Sequence, residues 1–277
     1  MSNFTDFIGG SGGTTTALYN QWITTSQTWT PPYSGVVTIH CVGAGAGGST
    51  GTHNNPFGGG GAGGYCKKEL TVSTGTNWTM VVGSKGLGCL ANDSSGGSGG
   101  NTSATDGTIT LTANGGSAAV FASAGAGGTA TGGDVNFTGG AGRNYGGGGG
   151  AVGTRGTGNA GVNGFSNYNQ LSADSDCLGP YDPLAYGIMT GGGKGSLGAW
   201  GINVDSPNPA REPAGFLAGG GGSATVINKL IIPPSPATVG GGGGSLNAGT
   251  GVTIPTYGYS SASGGVGIIL IQYKTIT

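Results

Sequence analysis

The chain has 277 residues, of which 69 are glycine and only 7% are charged, and its formal net charge is −1. Because the charges are few and form no long run of one sign, the sequence excludes the basic patch of a nucleic-acid-binding protein and the cationic surface of a membrane-bound one. A disordered chain would carry more charge and fewer apolar residues than the 35% found here, so we expect an ordered protein.

The sequence predicts neither a signal peptide nor a membrane-spanning segment. Residues 1–13 lack the basic and apolar regions of a signal peptide, and no apolar run has the length of a membrane span. We therefore expect synthesis in the cytoplasm, no export by the general route and no membrane insertion.

Residues 1–34 differ in composition from the glycine-rich remainder. The spacing of Leu18, Trp22 and Ile23 predicts a short helix over 17–23. Two interpretations of this N-terminal segment are open at this point. It attaches the protein to a larger partner, or it contributes a strand that packs on the main domain.

Residues 35–124 contain several predicted strands. The apolar run at 35–42 follows two prolines and predicts a strand that is buried on both faces. A turn at 73–76 suggests that 65–72 and 77–82 pair as an antiparallel hairpin, and an Asn-Gly-Gly turn suggests a second hairpin between 108–113 and 117–123.

The final stretch, 266–277, opens with the most strongly β-forming run in the chain, at 266–273. Its apolar residues fall on both faces, which indicates a central strand rather than an edge strand. We expect it to pair with 36–42 and with the two hairpins, so that strands from both ends of the chain close around the glycine-rich stretch.

Glycine blocks recur from 43 to 265, and apolar or aromatic residues separate them, unlike in a flexible glycine–serine linker. A polyproline II helix has no internal hydrogen bonds, but several such helices bond to one another where the contacting residues lack a Cβ. The blocks within 125–265 therefore predict a bundle of glycine-rich polyproline II helices. The residues between the blocks would form turns at the ends of the bundle.

The order of strands and glycine blocks resembles the glycine-rich domain found in bacteriophage tail-fibre and virion proteins. The matching stretches are 29–32, 42–48, 58–65, 80–83, 99–103 and 264–269. The resemblance spans 29–273 and implies an antiparallel β-sandwich of jelly-roll or TNF-like type that carries the glycine-rich helices, similar to the glycine-rich region of anaplastic lymphoma kinase. It also implies a likeness to the polyglycine sandwich of phage tail-tip adhesins.

Three patterns in the sequence imitate known chemical sites. The Gly-x-Gly-x-x-Gly pattern at 43–48 follows a strand, but the residues after it cannot form the helix that a dinucleotide site needs. The Gly-Gly-Lys-Gly run at 192–195 lacks the serine or threonine of a phosphate-binding loop. His40 and Cys41 are neighbours in a strand and point to opposite faces, so they are not expected to share a metal ion with His53 or Cys66.

Acidic residues and cysteines add little chemistry. Asp174 and Asp176, with Asp182 nearby, are interpreted either as a weak cation site or as solvated loop residues. The cysteines show no Cys-x-x-Cys pair, so we expect buried free thiols. We expect no metal, no cofactor and no enzymatic activity.

Aromatic residues between the glycine blocks are the candidate binding residues. They lie next to turn residues, where aromatic side chains offer a large contact area at low entropic cost. The candidates are Tyr145, Phe165, Tyr168, Tyr181, Tyr186, Trp200, Tyr257 and Tyr259. The alternative is that some of them cap the ends of the bundle as a small core.

Three functions are consistent with these patterns. The first is a non-enzymatic tail-fibre-tip adhesin of a virion, which binds a glycan or an outer-membrane protein of the host through its loops and other tail proteins through residues 1–34. The second is a structural virion component, such as a head-fibre, decoration or tail-assembly protein. The third is an ice-binding protein. By analogy with fibres, the adhesin is expected to be a homotrimer.

Overall fold

The computed structural model places strands and glycine segments along most of the chain. It describes residues 19–52, 58–89, 94–120, 123–144, 148–149, 151–152, 156–158, 160, 225–227, 230–232, 239–243, 246–248, 261 and 263–276. The regular elements in these residues are β-strands, in two sheets of five strands and two small sheets of two strands. No helix occurs among the residues that the structure describes.

Sheet 1 contains strands from both ends of the chain. Its strands in spatial order are β1 (Tyr19–Ile23), β14 (Ile268–Ile276), β3 (Gly35–Val42), β5 (Tyr65–Val72) and β10 (Val135–Phe137). All neighbouring pairs are antiparallel. The predicted pairing of the C-terminal strand with 36–42 is confirmed. The predicted pairing with the two hairpins is wrong, because β1 occupies the other edge of β14.

Sheet 2 is built from consecutive strands after its first member. The order is β2 (Gln27–Trp29), β6 (Trp78–Val81), β7 (Thr102–Thr105), β8 (Thr110–Ala113) and β9 (Ala130–Thr131), again antiparallel throughout. Short connections join the edges of the two sheets, from β1 to β2 on one side and from β9 to β10 on the other. The two edges of each sheet are thus tied to the partner sheet, which limits the edge exposure that promotes aggregation.

Four short strands form the small sheets. β11 (Thr225–Ile227) and β12 (Leu230–Ile232) are antiparallel, whereas β4 (Thr50–Thr52) and β13 (Leu246–Ala248) are parallel.

The main core lies between the two large sheets. Alternate residues of β3 and β14, such as Ile39 and Ile271, meet Trp78, Met80 and Leu111 of sheet 2, and all of them are buried. Because side chains alternate across a strand, the remaining residues of these strands lie on the outward face of sheet 1. That outward face is also buried at Leu270, His40 and Tyr65, so β3 and β14 are covered on both faces, as predicted.

Three local predictions are wrong. Residues 19–23 are a strand rather than part of a helix, because pairing with β14 overrides a weak helical spacing. β5 and β6 do not pair, since the turn between them carries the chain from sheet 1 to sheet 2. The predicted hairpin between 108–113 and 117–123 does not form, because β8 pairs with β7 and β9. Residues 114–119 form a glycine segment with a different bonding pattern.

The coarse fold prediction is confirmed: the protein is mostly β, with antiparallel sheets stacked in a sandwich-like pair. The open choice for the N-terminal segment is answered for 19–29, which supplies strands β1 and β2. Residues 1–18 lie outside the described part of the chain.

The glycine segments bond to one another through their backbones with a period of three residues. Segment 58–64 donates successive N–H groups to three different segments and then repeats. The pairs are Gly59 to Arg143, Ala62 to Gly140, Gly60 to Gly243, Gly63 to Gly240, Gly61 to Ser117 and Gly64 to Asn114. A β-strand would bond to two neighbours in one plane, so this pattern is a three-directional network rather than a sheet.

Two of the segments, 43–49 and 58–64, are each surrounded by six others. Around 43–49 lie 58–64, 83–86, 97–100, 116–119, 240–243 and 263–265. Around 58–64 lie 43–49, 114–117, 125–128, 139–143, 148–149 and 240–243. Within each set of six surrounding segments, neighbouring segments also contact one another through their backbones. We call this hexagonally packed array the glycine bundle, and it begins at residue 43, directly after β3.

The glycines of the bundle are required by distance. A Cβ on Gly61 would lie 1.9 Å from the carbonyl oxygen of Ala126, and one on Gly45 would lie 1.7 Å from that of Gly241. Real Cβ atoms do not approach backbone atoms so closely, and the obstruction is main chain, which cannot rotate away. The side chain is therefore excluded because another backbone occupies its volume.

The bundle has two distinct ends. At the sheet end, glycine segments run directly into strands, as 43 does from β3, 64 into β5, and 267 into β14. At the opposite end, which we call the distal end, neighbouring segments are bonded through their tips, with Gly58 bridging Asn144 and Val120 bridging Ser123. Since the two ends are chemically different, they are candidates for different roles.

Candidate binding surface at the distal end

A buried polar cluster closes the distal end. Ser261 is 1% exposed, its Oγ accepts the N–H of Cys89 at 2.7 Å, and the same hydroxyl donates to the carbonyl of Gly48 at 2.6 Å. Ser49 Oγ in turn accepts the N–H of Gly58 at 2.7 Å. These bonds satisfy backbone groups at the point where glycine segments stop bonding to one another. The bonds of Ser261 fix the distal ends of 43–49 and 83–89 to the residues that precede 263–267. The bond of Ser49 fixes the distal end of 58–64 to that of 43–49.

Large apolar side chains are exposed at this end. Leu87 is 64% exposed and Val120 is 60% exposed, the highest values among the large hydrophobic residues that the structure describes as exposed. Val120 lies in a tight turn, where its N–H and carbonyl both bond to Ser123. Such side chains on a rigid backbone offer contact area with little conformational entropy to lose.

Sequence reasoning missed Leu87 and Val120. The signal that identifies them is the spacing of non-glycine residues, because Ser84 and Leu87, and likewise Ser117 and Val120, are three positions apart and exposed. A three-residue period of exposure follows from the bonding period of the bundle and can be searched for in any glycine-rich stretch.

The exposed residues of the bundle form a regular outer face. Five consecutive segments, each bonded to the next, expose every third residue. The residues exposed at this period are Ser84, Leu87, Ser95, Ser98, Asn101, Ser117, Val120, Ser123, Ala126, Thr129, Thr138, Ala141 and Asn144. Most of these side chains are small and all are uncharged, whereas Lys85 and Arg143 of the same segments are also exposed and add two positive charges.

All eight aromatic candidates, Tyr145, Phe165, Tyr168, Tyr181, Tyr186, Trp200, Tyr257 and Tyr259, lie outside the described residues. The described residues that flank them fall in two places. Tyr145 follows Asn144 in the sequence, and Tyr257 and Tyr259 lie between Gly243 and Ser261 in the sequence. Of these residues the structure describes Asn144, Gly243 and Ser261, which belong to the distal end. The other five lie between Ala160 and Thr225, and Thr225 begins β11, which contacts β13.

The histidine and thiol of β3 face in opposite directions, as predicted. His40 lies on the outward face of sheet 1, where Nδ1 is 2.8 Å from the Tyr65 hydroxyl and Nε2 is 2.8 Å from Gln272 Oε1. Because a carbonyl oxygen only accepts, Nε2–H donates to Gln272 and Nδ1 accepts from Tyr65. Cys41 faces the core instead.

Other chemical candidates are few in the described part of the chain. Within it, no group of three or more His, Cys, Asp or Glu residues is arranged to hold a metal ion. The described cysteines, Cys41, Cys66 and Cys89, are free and buried. His53, Asp174, Asp176, Asp182, Cys177 and Lys194 lie outside the described residues. A search of the described residues for a helix long and apolar enough to cross a membrane finds none.

Two ion pairs lie at the rim of sheet 1. Asp134 accepts a hydrogen bond from Lys68 Nζ at 2.8 Å and another from the backbone N–H of Glu69 at 2.9 Å. The Lys68 bond first, and the Glu69 bond second, lower the pKa of the Asp134 carboxyl. Lys274 pairs with the Glu69 side chain nearby. These pairs stabilise the edge where β5 meets β10, at the sheet end of the bundle.

Comparison with known protein families identifies the family of the chain. A family profile described as a glycine-rich domain matches residues 20–274. The chain belongs to the glycine-rich domain family. The predicted glycine-rich domain is thus confirmed, whereas its link to phage tail fibres stays a prediction. Comparison with curated proteins gives no match.

Proposed function

We propose that this glycine-rich domain protein is a non-enzymatic adhesin of a bacteriophage virion, which contacts the host surface through the distal end. The observation that carries the proposal is the asymmetry of the bundle. One end is continuous with the β-sandwich, whereas the other presents exposed Leu87 and Val120 and the flanks of three candidate tyrosines. A rigid support of this kind reduces the entropy lost when a loop-rich surface binds.

The supporting role depends on the nature of the glycine segments, which we infer to be polyproline II helices. Polyproline II has three residues per turn and leaves every N–H and carbonyl pointing outward. Successive N–H groups then point in three directions, and the observed bonding period of three residues supports this assignment. We expect a circular dichroism spectrum with sheet and polyproline II contributions that are lost in one cooperative melt. The jelly-roll connectivity of the sandwich also stays a prediction.

The proposed location and partners follow from this role. The protein would reside on the virion surface after synthesis in the host cytoplasm, with residues 1–34 on the side of other tail proteins. Its ligand would be a host glycan or an outer-membrane protein. A homotrimer is expected by analogy with fibres, and light scattering of the purified chain measures it directly.

The test compares distal and sheet-side substitutions in one binding assay. The variant Leu87→Ser/Val120→Ser, and separately Tyr257→Ala/Tyr259→Ala, should reduce binding of the purified protein to susceptible bacteria by at least about tenfold, since hot-spot residues contribute more than 1 kcal/mol each. The matched control is Tyr33→Ala, because Tyr33 is 48% exposed on the sandwich. Only a loss confined to the distal variants, with competition against phage adsorption by the unmodified protein, agrees with the proposal.

The same assay distinguishes the structural role. A head-fibre, decoration or tail-assembly protein would bind virions and leave adsorption to cells unchanged. That outcome, obtained with folded protein, would replace the adhesin proposal with the structural one.

The outer face supports a second candidate, an ice-binding protein. Ser, Thr, Ala and Asn side chains repeat every third residue over five bonded segments. At a rise of about 3.1 Å per residue, the rows would repeat at regular intervals of about 9 Å. Thermal hysteresis of the purified protein that Ala126→Lys abolishes would favour this candidate, and its absence in the unmodified protein would exclude it.

A further inference from the structure

Two cysteines of the core lie opposite each other on adjacent strands. Cys41 of β3 pairs with Cys66 of β5 in the antiparallel register, and both are completely buried between the sheets. Opposite residues of an antiparallel pair have Cα atoms about 4.5–5.5 Å apart. A disulfide needs Cα atoms about 4.4–6.8 Å apart, so the backbone geometry suits a bond without strand movement.

We propose that Cys41 and Cys66 form a disulfide site, which a small-molecule disulfide such as oxidised glutathione closes when the chain folds under oxidising conditions. One thiolate attacks the glutathione disulfide, forms a mixed disulfide and releases one reduced glutathione. The second protein thiolate then attacks the mixed disulfide at the protein sulfur and releases the other. The two protein thiols lose two protons and two electrons in total, and the glutathione disulfide takes both electrons.

The bond is expected to form before the core closes. The hydrogen bond between the two thiols and their burial raise the pKa of Cys41, so the folded protein holds little of the reactive thiolate. Small reagents also have no access to side chains that are 0% exposed. Reduced, folded protein should therefore resist oxidation, whereas protein that refolds in an oxidising buffer should acquire the bond.

The consequence reaches the glycine bundle through the chain between the two cysteines. Residues 42–65 contain both central segments, 43–49 and 58–64. A bond between Cys41 and Cys66 restricts this loop in the unfolded chain. Because glycine-rich sequence has a high conformational entropy when unfolded, this restriction removes part of the entropy loss that opposes folding. The disulfide would thus stabilise the two central segments, around which the other described segments of the bundle pack.

The experiment uses the unmodified full chain. Denatured, reduced protein is refolded in glutathione buffers from fully reduced to strongly oxidising, free thiols are alkylated, and disulfide-linked peptides are mapped by mass spectrometry. The expected result is that the peptide pair containing Cys41 and Cys66 is the main linked species. The oxidised protein should melt about 5–10 °C above the reduced one, as the constraint on a loop of this length suggests.

Two outcomes would overturn the proposal. One is that Cys41 and Cys66 stay alkylatable in every buffer, or that the main linked pair involves Cys89 or Cys177. The other is that the Cys41–Cys66 bond forms but the melting temperature falls, because the strands would then have moved apart to accommodate it. Cys66→Ser, refolded in parallel, checks that the linked peptide requires both thiols.

Discussion

The β-sandwich and the glycine bundle are stabilised by opposite means. In the sandwich, apolar side chains such as Ile271 and Leu111 fill the space between two sheets. In the bundle, backbones lie so close that a single Cβ would overlap a neighbouring carbonyl, as at Gly45. The first region depends on the presence of side chains and the second on their absence.

This difference shows how a glycine-rich chain can fold. Glycine loses more backbone entropy on folding than other residues, by roughly 0.5–1 kcal/mol relative to alanine. The bundle offsets this cost with hydrogen bonds in three directions and close backbone packing. The sandwich sets the spacing at one end of the bundle, because its strands continue directly into the segments. Four substitutions test the contrast, from the largest expected effect to the smallest.

Gly61→Ala should have the largest effect, with a loss of at least about 4 kcal/mol in the free energy of unfolding or a failure to fold. The added methyl would lie 1.9 Å from the Ala126 carbonyl oxygen, at the centre of the bundle. Denaturant titration measures the change. The matched control is Gly75→Ala, where φ is +88° but no atom lies within 4 Å of the new Cβ. There we expect only the cost of the left-handed backbone, about 1 kcal/mol. Equal losses at both positions would contradict close packing at Gly61.

Leu111→Ala should destabilise the sandwich by about 3 kcal/mol, because it leaves a cavity in the core. Leu111 is fully buried between the sheets. Thermal and denaturant unfolding measure the loss, and Val81→Ala, at a side chain 39% exposed, should cost less than about 1 kcal/mol. A small effect at Leu111 would mean that side-chain packing does not stabilise this region.

Ser261→Ala should cost about 1–3 kcal/mol, since it leaves the buried N–H of Cys89 without the Ser261 hydroxyl as an acceptor. Hydrogen exchange at the Cys89 amide should accelerate by more than at Gly61, because the loss is local to the distal end. Ser95→Ala, on the exposed outer face, serves as the control and should be nearly neutral. Unchanged exchange at Cys89 would show that the buried cluster does not hold the distal end.

Asp134→Asn should have the smallest effect, below about 1 kcal/mol, because the side chain of Asp134 is 51% exposed and that of Lys68 is 29% exposed, so water screens the pair. The folded pKa of Asp134 is lowered from 3.8. Its contribution is therefore present above the unfolded pKa and is lost as the pH falls through the folded pKa. As the pH is lowered from neutral into this acidic range, the free energy of unfolding should fall slightly less in the variant than in the parent protein. A difference between variant and parent that grows at neutral to alkaline pH would contradict the assignment.

Predictions from the sequence succeeded where the residue pattern is decided locally. The run at 266–273 is apolar on both faces, and it forms the central strand β14 beside β3. The opposite orientations of His40 and Cys41 follow from strand alternation alone. In both cases the backbone conformation determines the outcome without knowledge of distant partners.

Predictions failed where a distant partner decides the structure. The turn after β5 looked like a hairpin turn, but β6 pairs with β2 and β7, because residues 27–29 arrive from the N-terminal segment to extend sheet 2. The helical spacing at 17–23 likewise gave way to pairing with β14. The candidate surface shows the same limit, because the exposure of Leu87 and Val120 depends on which segments surround theirs.

The amino-acid sequence by itself determined that the chain would fold around β-strands at its two ends and that its glycines would be placed rather than random, because composition and alternation are local properties. Only the tertiary structure decided which two segments are each surrounded by six others and which residues therefore tolerate no Cβ. That choice depends on bonds between residues such as Gly60 and Gly243, which are far apart in the chain and identical in chemistry to dozens of other glycines.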